Sequence, residues 1–161
     1  MLAALPSCAD LDMPGLATAG SLRTAPASFH TLELGSYDAA LGQQLAGYAD
    51  SNTSGGTGWC YQYVAQAVHA YLPDFLYGGH AYLAADQLAA SPYFREVAVS
   101  PAQLPALPAG AVVVWAKGSS PSGHISIADG RGREISDHVA VQMTSHYGGG
   151  APRVFLPLGR S

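Results

Sequence analysis

Cys60 and His124 are the residues of this chain that could do nucleophilic chemistry together. Cys60 follows the run Gly55-Gly56-Thr57-Gly58-Trp59 and opens a segment where Val64, Ala67 and Val68 recur at helical spacing. The spacing predicts a thiol in the first turn of a helix. There the unpaired N–H groups and the helix dipole favour the thiolate, the reactive form of cysteine. His124 lies in a strand-like run, Gly123 to Ala128, that ends in the turn signal Asp129-Gly130-Arg131-Gly132. A turn centred on Gly130-Arg131 places Asp137 directly opposite His124 on the returning strand, with Cβ atoms about 5 Å apart. A carboxylate there would fix the tautomer of the imidazole and support its protonated form. One extra residue in the turn, a bulge at Gly132, would bring His138 opposite His124 instead. The third member is therefore Asp137, with His138 as the alternative.

Each residue alone also has an ordinary reading. Cys60 could be a small buried core residue. It could also bridge to Cys8, the other cysteine of the chain, and then be no nucleophile at all. His124 could be a strand histidine with a local hydrogen bond, and Asp137 a turn cap. Glu134 reads as a solvated strand residue, and His69 as the outer face of the Cys60 helix. The remaining histidines, His30, His80 and His146, show no partner spacing. No compact metal-ligand motif is formed, so neither a metal nor a cofactor is expected.

The elements that must position these residues divide the chain. Residues 1–35 are broken by Pro6, Pro14, Gly15, Gly20 and Pro26 and read as an irregular arm. Residues 36–161 read as one domain. Ser36 can cap a helix from Tyr37 to about Ala49, with Leu41, Leu45 and Tyr48 on one face. The Cys60 helix should end before Pro73. A third helix is expected from His80 to Ala90. Strands follow at Phe94 to Val99, Ala111 to Trp115, Gly123 to Ala128, Arg133 to Val141 and Arg153 to Leu156. An extended link is expected across Pro101, Pro105 and Pro108. Helices first and antiparallel strands later make an α+β domain.

Composition narrows the partners. Of 161 residues only 11% are charged, against 48% hydrophobic, and the formal net charge is −4. No basic cluster exists, so neither nucleic acid nor an anionic membrane surface is an expected partner. No stretch approaches the ~20 apolar residues of a membrane span. Met1 to Leu16 has no Lys or Arg and is interrupted by Pro6, Asp10, Asp12 and Pro14, so it does not read as a Sec signal.

Taken together, the motifs resemble a family. Gly58-Trp59-Cys60-Tyr61-Gln62-Tyr63-Val64 is similar to the nucleophile helix of NlpC-type and CHAP-type cell-wall cysteine peptidases and amidases. Leu107-Pro108-Ala109-Gly110-Ala111-Val112-Val113-Val114-Trp115 resembles the strand before their histidine. Gly123-His124-Ile125-Ser126-Ile127-Ala128-Asp129-Gly130 resembles their histidine strand, and Ile135-Ser136-Asp137 the place of their third polar residue. Trp59 and Tyr61 depart from the common Asp-Cys-Ser neighbours, and Ala111 stands where Asp is frequent.

The resemblance implies a papain-like fold, with helices packed on an antiparallel sheet. It implies a hydrolase that cuts an amide bond of bacterial peptidoglycan: first the γ-D-glutamyl–diaminopimelate bond, second the D-Ala cross-link. Catalysis would use Cys60, His124 and Asp137, with the Cys60 N–H as oxyanion donor, joined by a side chain such as Tyr48. Trp59, Tyr61 and Trp115 would line the cleft or belong to the core. A single domain without a visible export signal resembles the amidase effectors injected by type VI secretion systems, made in the cytoplasm, acting on the wall after delivery and matched by a cognate immunity protein. Two other readings stand beside it. One is a papain-like hydrolase or acyltransferase on a non-wall substrate. The other is a non-catalytic binding domain with a Cys8–Cys60 disulfide.

Overall fold

The first helix is set by Asp38 rather than Ser36. The Asp38 carboxylate accepts a hydrogen bond from the Leu41 N–H at 2.9 Å, and α1 runs Ala39–Ser51. In this computed structural model, residues 32–146 and 150–159 are described. The expected arm therefore lies almost wholly outside the described residues, and Cys8 with it. Helix α2 is Cys60–His69, ending ahead of Pro73 as its sequence requires. The third expected helix is divided: Ala81–Leu83 forms a 3-10 turn and Ala84–Ala90 forms α3.

Six strands follow: β1 Phe94–Val97, β2 Val112–Trp115, β3 His124–Ala128, β4 Arg133–Ile135, β5 Val139–Val141 and β6 Arg153–Pro157. They form one antiparallel sheet in the order β1-β6-β2-β3-β4-β5. The expected α+β architecture is the one observed. The link across Pro101 is not extended but a 3-10 helix, Pro101–Ala106. Its start is closed by the Gln103 side chain, whose Oε1 accepts from the Ser100 N–H and hydroxyl, both at 3.0 Å, and Pro101 suits the first helical position.

Alternation along the strands builds two apolar layers. Val112, Val114, Ile125, Ile127, Ile135 and Phe155 meet Leu41 and Leu45 of α1, Val64, Ala67 and Val68 of α2, and Ala84 and Leu88 of α3. On the other face Val113, Trp115, Ala128, Val154 and Leu156 pack with Leu104 and Leu107. A fully buried side chain such as Leu45 contributes roughly 2–3 kcal/mol by leaving water. This layering seats α2 on β3, and so fixes the start of the helix relative to the start of the strand.

The expected strand Arg133 to Val141 is broken into β4 and β5 by a three-residue turn at Ser136–His138. The preceding turn also has three residues. Ile127 pairs with Ile135 and Ala128 with Glu134, one position later than a two-residue turn would give. Asp129 enforces this loop. Its Oδ1 accepts from the Arg131 and Arg133 N–H groups, and its Oδ2 from the Arg133 guanidinium at 2.7 Å. Gly130 and Gly132 both take positive φ, 81° and 85°, which a three-residue loop of this kind needs.

Candidate active site

Cys60 is the first residue of α2 and His124 the first of β3. Because α2 packs on β3, the two side chains come together, close enough for Cys60 to favour a charge on His124. Cys60 is a free, partly buried thiol. The N-terminus of α2 carries no side-chain cap, so its first N–H groups remain available there. His124 is buried, 7% exposed.

The residue that holds His124 is Glu134. His124 Nε2 donates to Glu134 Oε1 at 3.0 Å, which leaves Nδ1 for the thiol. The other oxygen of Glu134, Oε2, accepts from Gln142 Nε2 at 2.8 Å and from the Met143 N–H at 3.1 Å. Glu134 is 2% exposed, so it is not the solvated residue expected from the strand pattern. A carboxylate so deeply buried persists only with its acceptor sites filled, and here three donors fill them. Burial works against a charge on His124. The hydrogen bonds and charges of Cys60 and Glu134 outweigh it and raise the imidazole to about 9.

Asp137 does not meet His124, which corrects the expectation for the third site residue. The three-residue turns at Gly130–Gly132 and Ser136–His138 take it out of the ladder. Its carboxylate accepts instead from Gly58, Thr57, Ser136 and His138. Burial would raise its pKa, but these four donors hold it well below the usual carboxylate range. His138 is not opposite His124 in a strand pair either. Its Nδ1 lies 2.9 Å from Asp137 Oδ1, and the ring is half-exposed.

The aromatic residues separate. Trp59 is 63% exposed and stands at the mouth of a groove of about 310 Å3 that also holds Cys60, Gln62, Ala65, His69, Leu76, Tyr77 and Ser122. Among the described residues no Asp, Glu, Lys or Arg lines that groove. Tyr61 borders it, but its ring is buried and its hydroxyl is tied to the Tyr77 carbonyl and to Gln87. Burial, the largest cause, pushes the Tyr61 phenol up to about 12. Trp115 is a core residue, 1% exposed and paired with His124 across β2 and β3. Tyr48 packs edge-on against Tyr71, which lies beyond the far end of α2 from Cys60.

A second groove, about 380 Å3, is lined by His124, Glu134, His138, Ala140, Met143, Ser145 and His146. His146 is buried, with its ring 5.3 Å from that of His124 and 5.9 Å from Trp115. Burial first, and then the charge on His124, lower its pKa. Cys60 thus lines the first groove and His124 the second. His69 borders the first groove as a neutral acceptor: its Nε2 takes the Phe75 and Leu76 N–H groups, both at 3.1 Å. Among the described residues no group of three His, Cys, Asp or Glu side chains could hold a metal ion.

In fold, the chain is similar to type VI effector–immunity structures. It matches a chain of the native effector–immunity complex Tae3–Tai3 from Ralstonia pickettii with a TM-score of 0.59 and 23% identity, over 71% of this chain and 96% of that one. The selenomethionine form of the same complex matches with a TM-score of 0.53 and 25% identity, over 69% and 97%. No protein-family model and no curated protein sequence matches.

Sequence reasoning missed Glu134 and His146. Glu134 had a signal. With three residues in the turn it pairs with Ala128, which shares a strand face with Ser126 and His124. His146 had none, because the segment that carries it has no periodicity.

Proposed function

We propose that this protein is a cysteine amidase that cuts an amide bond in the peptide stem or cross-link of bacterial peptidoglycan, delivered as an antibacterial type VI effector. The observation that carries the reading is the relay Cys60–His124–Glu134, with the thiol at a helix N-terminus and the carboxylate buried. The likeness to the effector–immunity structures supports the effector part. The motif resemblance to NlpC-type and CHAP-type enzymes supports the wall substrate and the amide bond. The catalytic unit is the single domain of residues 36–161. The protein is made in the producing cell, acts in the periplasm of its target, and is matched by a cognate immunity protein.

The chemistry runs in two steps. Cys60 Sγ attacks the amide carbonyl carbon as thiolate, with His124 holding the proton. The oxyanion faces the first turn of α2. Gly58 N–H is already engaged by Asp137, so the Cys60 N–H is the donor left at that corner. The C–N bond breaks as His124 gives its proton to the leaving amine. Water then attacks the thioester, His124 takes its proton, and the carboxylic acid and the free thiol are restored. Glu134, in the part the sequence assigned to Asp137, keeps His124 in one tautomer throughout.

The substrate stem would lie across both grooves, with Trp59 and Tyr77 as exposed aromatic edges on the Cys60 side. Digestion of purified peptidoglycan by wild type and by Cys60→Ala, with fragment masses, tests the reading and identifies the bond. New amine termini are expected from wild type only. No fragments from wild type, where a control amidase releases them, would move a non-wall substrate to the front.

A further inference from the structure

We propose that Asp137 is a positioning residue: it ties the two walls of the cleft together and sets where Cys60 stands relative to His124. The proposal rests on the reading of Cys60 as nucleophile. One carboxylate faces both walls. Oδ2 accepts from the Gly58 N–H at 2.7 Å and from the Thr57 hydroxyl at 3.2 Å, both on the loop that leads into α2. Oδ1 accepts from His138 Nδ1 at 2.9 Å and from the Ser136 hydroxyl at 3.1 Å, on the turn beside the second groove. The main-chain carbonyl of Asp137 takes the N–H groups of Ser54 and Gly55 at 3.0 Å and of Gly56 at 3.4 Å. Thr57 passes the tie onward, since its Oγ1 also accepts from the Trp59 N–H at 3.3 Å.

The loop needs such an anchor. Gly55, Gly56 and Gly58 all have positive φ, and a Cβ added at any of them would meet nothing within 4 Å. A segment with three glycines and no packing of its own has the largest conformational entropy to lose. Gly58 is two residues ahead of Cys60, so freedom there becomes freedom of the first turn of α2. A misplacement of about 1 Å at a nucleophile can cost on the order of 100-fold in rate. Asp137 therefore does at the loop what Glu134 does at the imidazole, and its charge is not required for it. What the loop needs is an acceptor of the right reach.

That distinction gives the test. In Asp137→Asn the side-chain oxygen stays for Gly58 and Thr57, while the NH2 replaces Oδ1 as a donor, so His138 Nδ1 presents its lone pair and the Ser136 hydroxyl turns away. Ala keeps neither. Asp137→Asn is expected to retain wall hydrolysis within about threefold, and Asp137→Ala to lose roughly 10- to 100-fold in kcat. The pH midpoint of Cys60 alkylation by iodoacetamide, followed by peptide mass, should match wild type in Asp137→Asn and shift in Asp137→Ala, because a displaced Cys60 loses its pairing with His124. Amide hydrogen exchange at Gly58, whose N–H the Asp137 carboxylate holds, should rise at least tenfold in Asp137→Ala, while Gly55 and Gly56 keep the main-chain carbonyl of residue 137 and change less; this readout needs no substrate.

Equal damage in the Asn and Ala variants overturns the proposal, because the charge would then be what matters. So does an alkylation midpoint that stays at the wild-type value in Asp137→Ala, or unchanged exchange at Gly58. Should Asp137→Ala not fold, Thr57→Val removes a hydroxyl on the exposed loop, and with it the bond to Asp137 and the acceptor for the Trp59 N–H. It is expected to lower kcat about threefold, and unchanged kcat with unchanged exchange overturns the proposal equally. Wall inactivity of wild type would remove the proposed function alone, since the exchange and alkylation readouts remain.

Discussion

His124 Nε2 lies 3.0 Å from Glu134 Oε1, and the two side chains are only 9% and 2% exposed. The carboxylate is nearly shut off from bulk solvent, so its effect falls mainly on the imidazole and on its other two donors. Glu134→Gln keeps the shape but removes the charge that supports the imidazolium. Wall hydrolysis should drop roughly 100-fold or more, with the pH midpoint of Cys60 alkylation moved. Glu134→Ala should also cost about 3 kcal/mol of folding stability, because it strands buried donors on His124 and Gln142. Urea denaturation of the two variants beside wild type separates the effects. Wild-type activity in Glu134→Gln would sink the assigned role.

How much of this was legible depends on residue numbers within turns. The Cys60 helix, the His124 strand and the layering of helices on an antiparallel sheet follow from periods of 3.6 and 2, which are local. The third residue depended on register. One extra residue at Gly130–Gly132 moves every partner by one, and a second three-residue turn at Ser136–His138 removes Asp137 from the ladder. Asp129, which bonds its own loop through both carboxylate oxygens, was the residue that could have decided the first turn. The α1 cap shifted from Ser36 to Asp38 for a similar reason: two good caps stood two residues apart, and packing chose. Trp115 and Tyr61 read as either core or cleft because composition cannot tell which way a strand or helix face turns.

His124 makes stability depend on pH in a definite direction. Its folded value, about 9, stands above the ordinary 6.5. The folded state therefore binds more protons between those values. The contribution is complete below about pH 6.5 and is lost as pH rises through about 9. It amounts to a few kcal/mol at most. Thermal melts from pH 6 to 10 should show the decline. Cys60→Ala removes one of the two groups that raise His124, so the upper edge should move to lower pH. A decline that is unchanged in His124→Gln would assign it to other groups.

His69 works in the opposite sense. Burial, opposed by Asp74, lowers its pKa, and its Nε2 serves as acceptor for two main-chain N–H groups. A lowered histidine costs stability as pH falls below the ordinary ~6.5, because the unfolded chain takes the proton first. Protonation also removes the acceptor for Phe75 and for Leu76, which lines the Cys60 groove. Exchange of these two amides, relative to their intrinsic rates, should accelerate between pH 7 and 5. His69→Ala should speed it at both pH values and cost about 1–2 kcal/mol. Flat protection across that range would count against the acceptor role.

Three glycines test how α1 holds the sheet, and through it the site. Gly42 faces the turn before β2, and a Cβ there would overlap the Ala109 carbonyl oxygen. Gly110 has φ +88°, and its Cβ would run into the Gly42 backbone. Gly110 N–H in turn donates to the Ala128 carbonyl at 2.9 Å, which keeps β2 beside the His124 strand. Gly42→Ala should therefore cost about 1–3 kcal/mol through overpacking. Gly110→Ala should cost more, since it adds backbone strain at positive φ. Gly47 sits on the same helix with nothing within 4 Å of an added Cβ. Gly47→Ala should stabilise by roughly 0.5–1 kcal/mol by reducing the freedom of the unfolded chain. Urea midpoints read all three. Where the variants fold, the pH midpoint of Cys60 alkylation should stay at the wild-type value, because Cys60, His124 and Glu134 are untouched. A shifted midpoint in Gly42→Ala would mean that α1 packing reaches the relay itself.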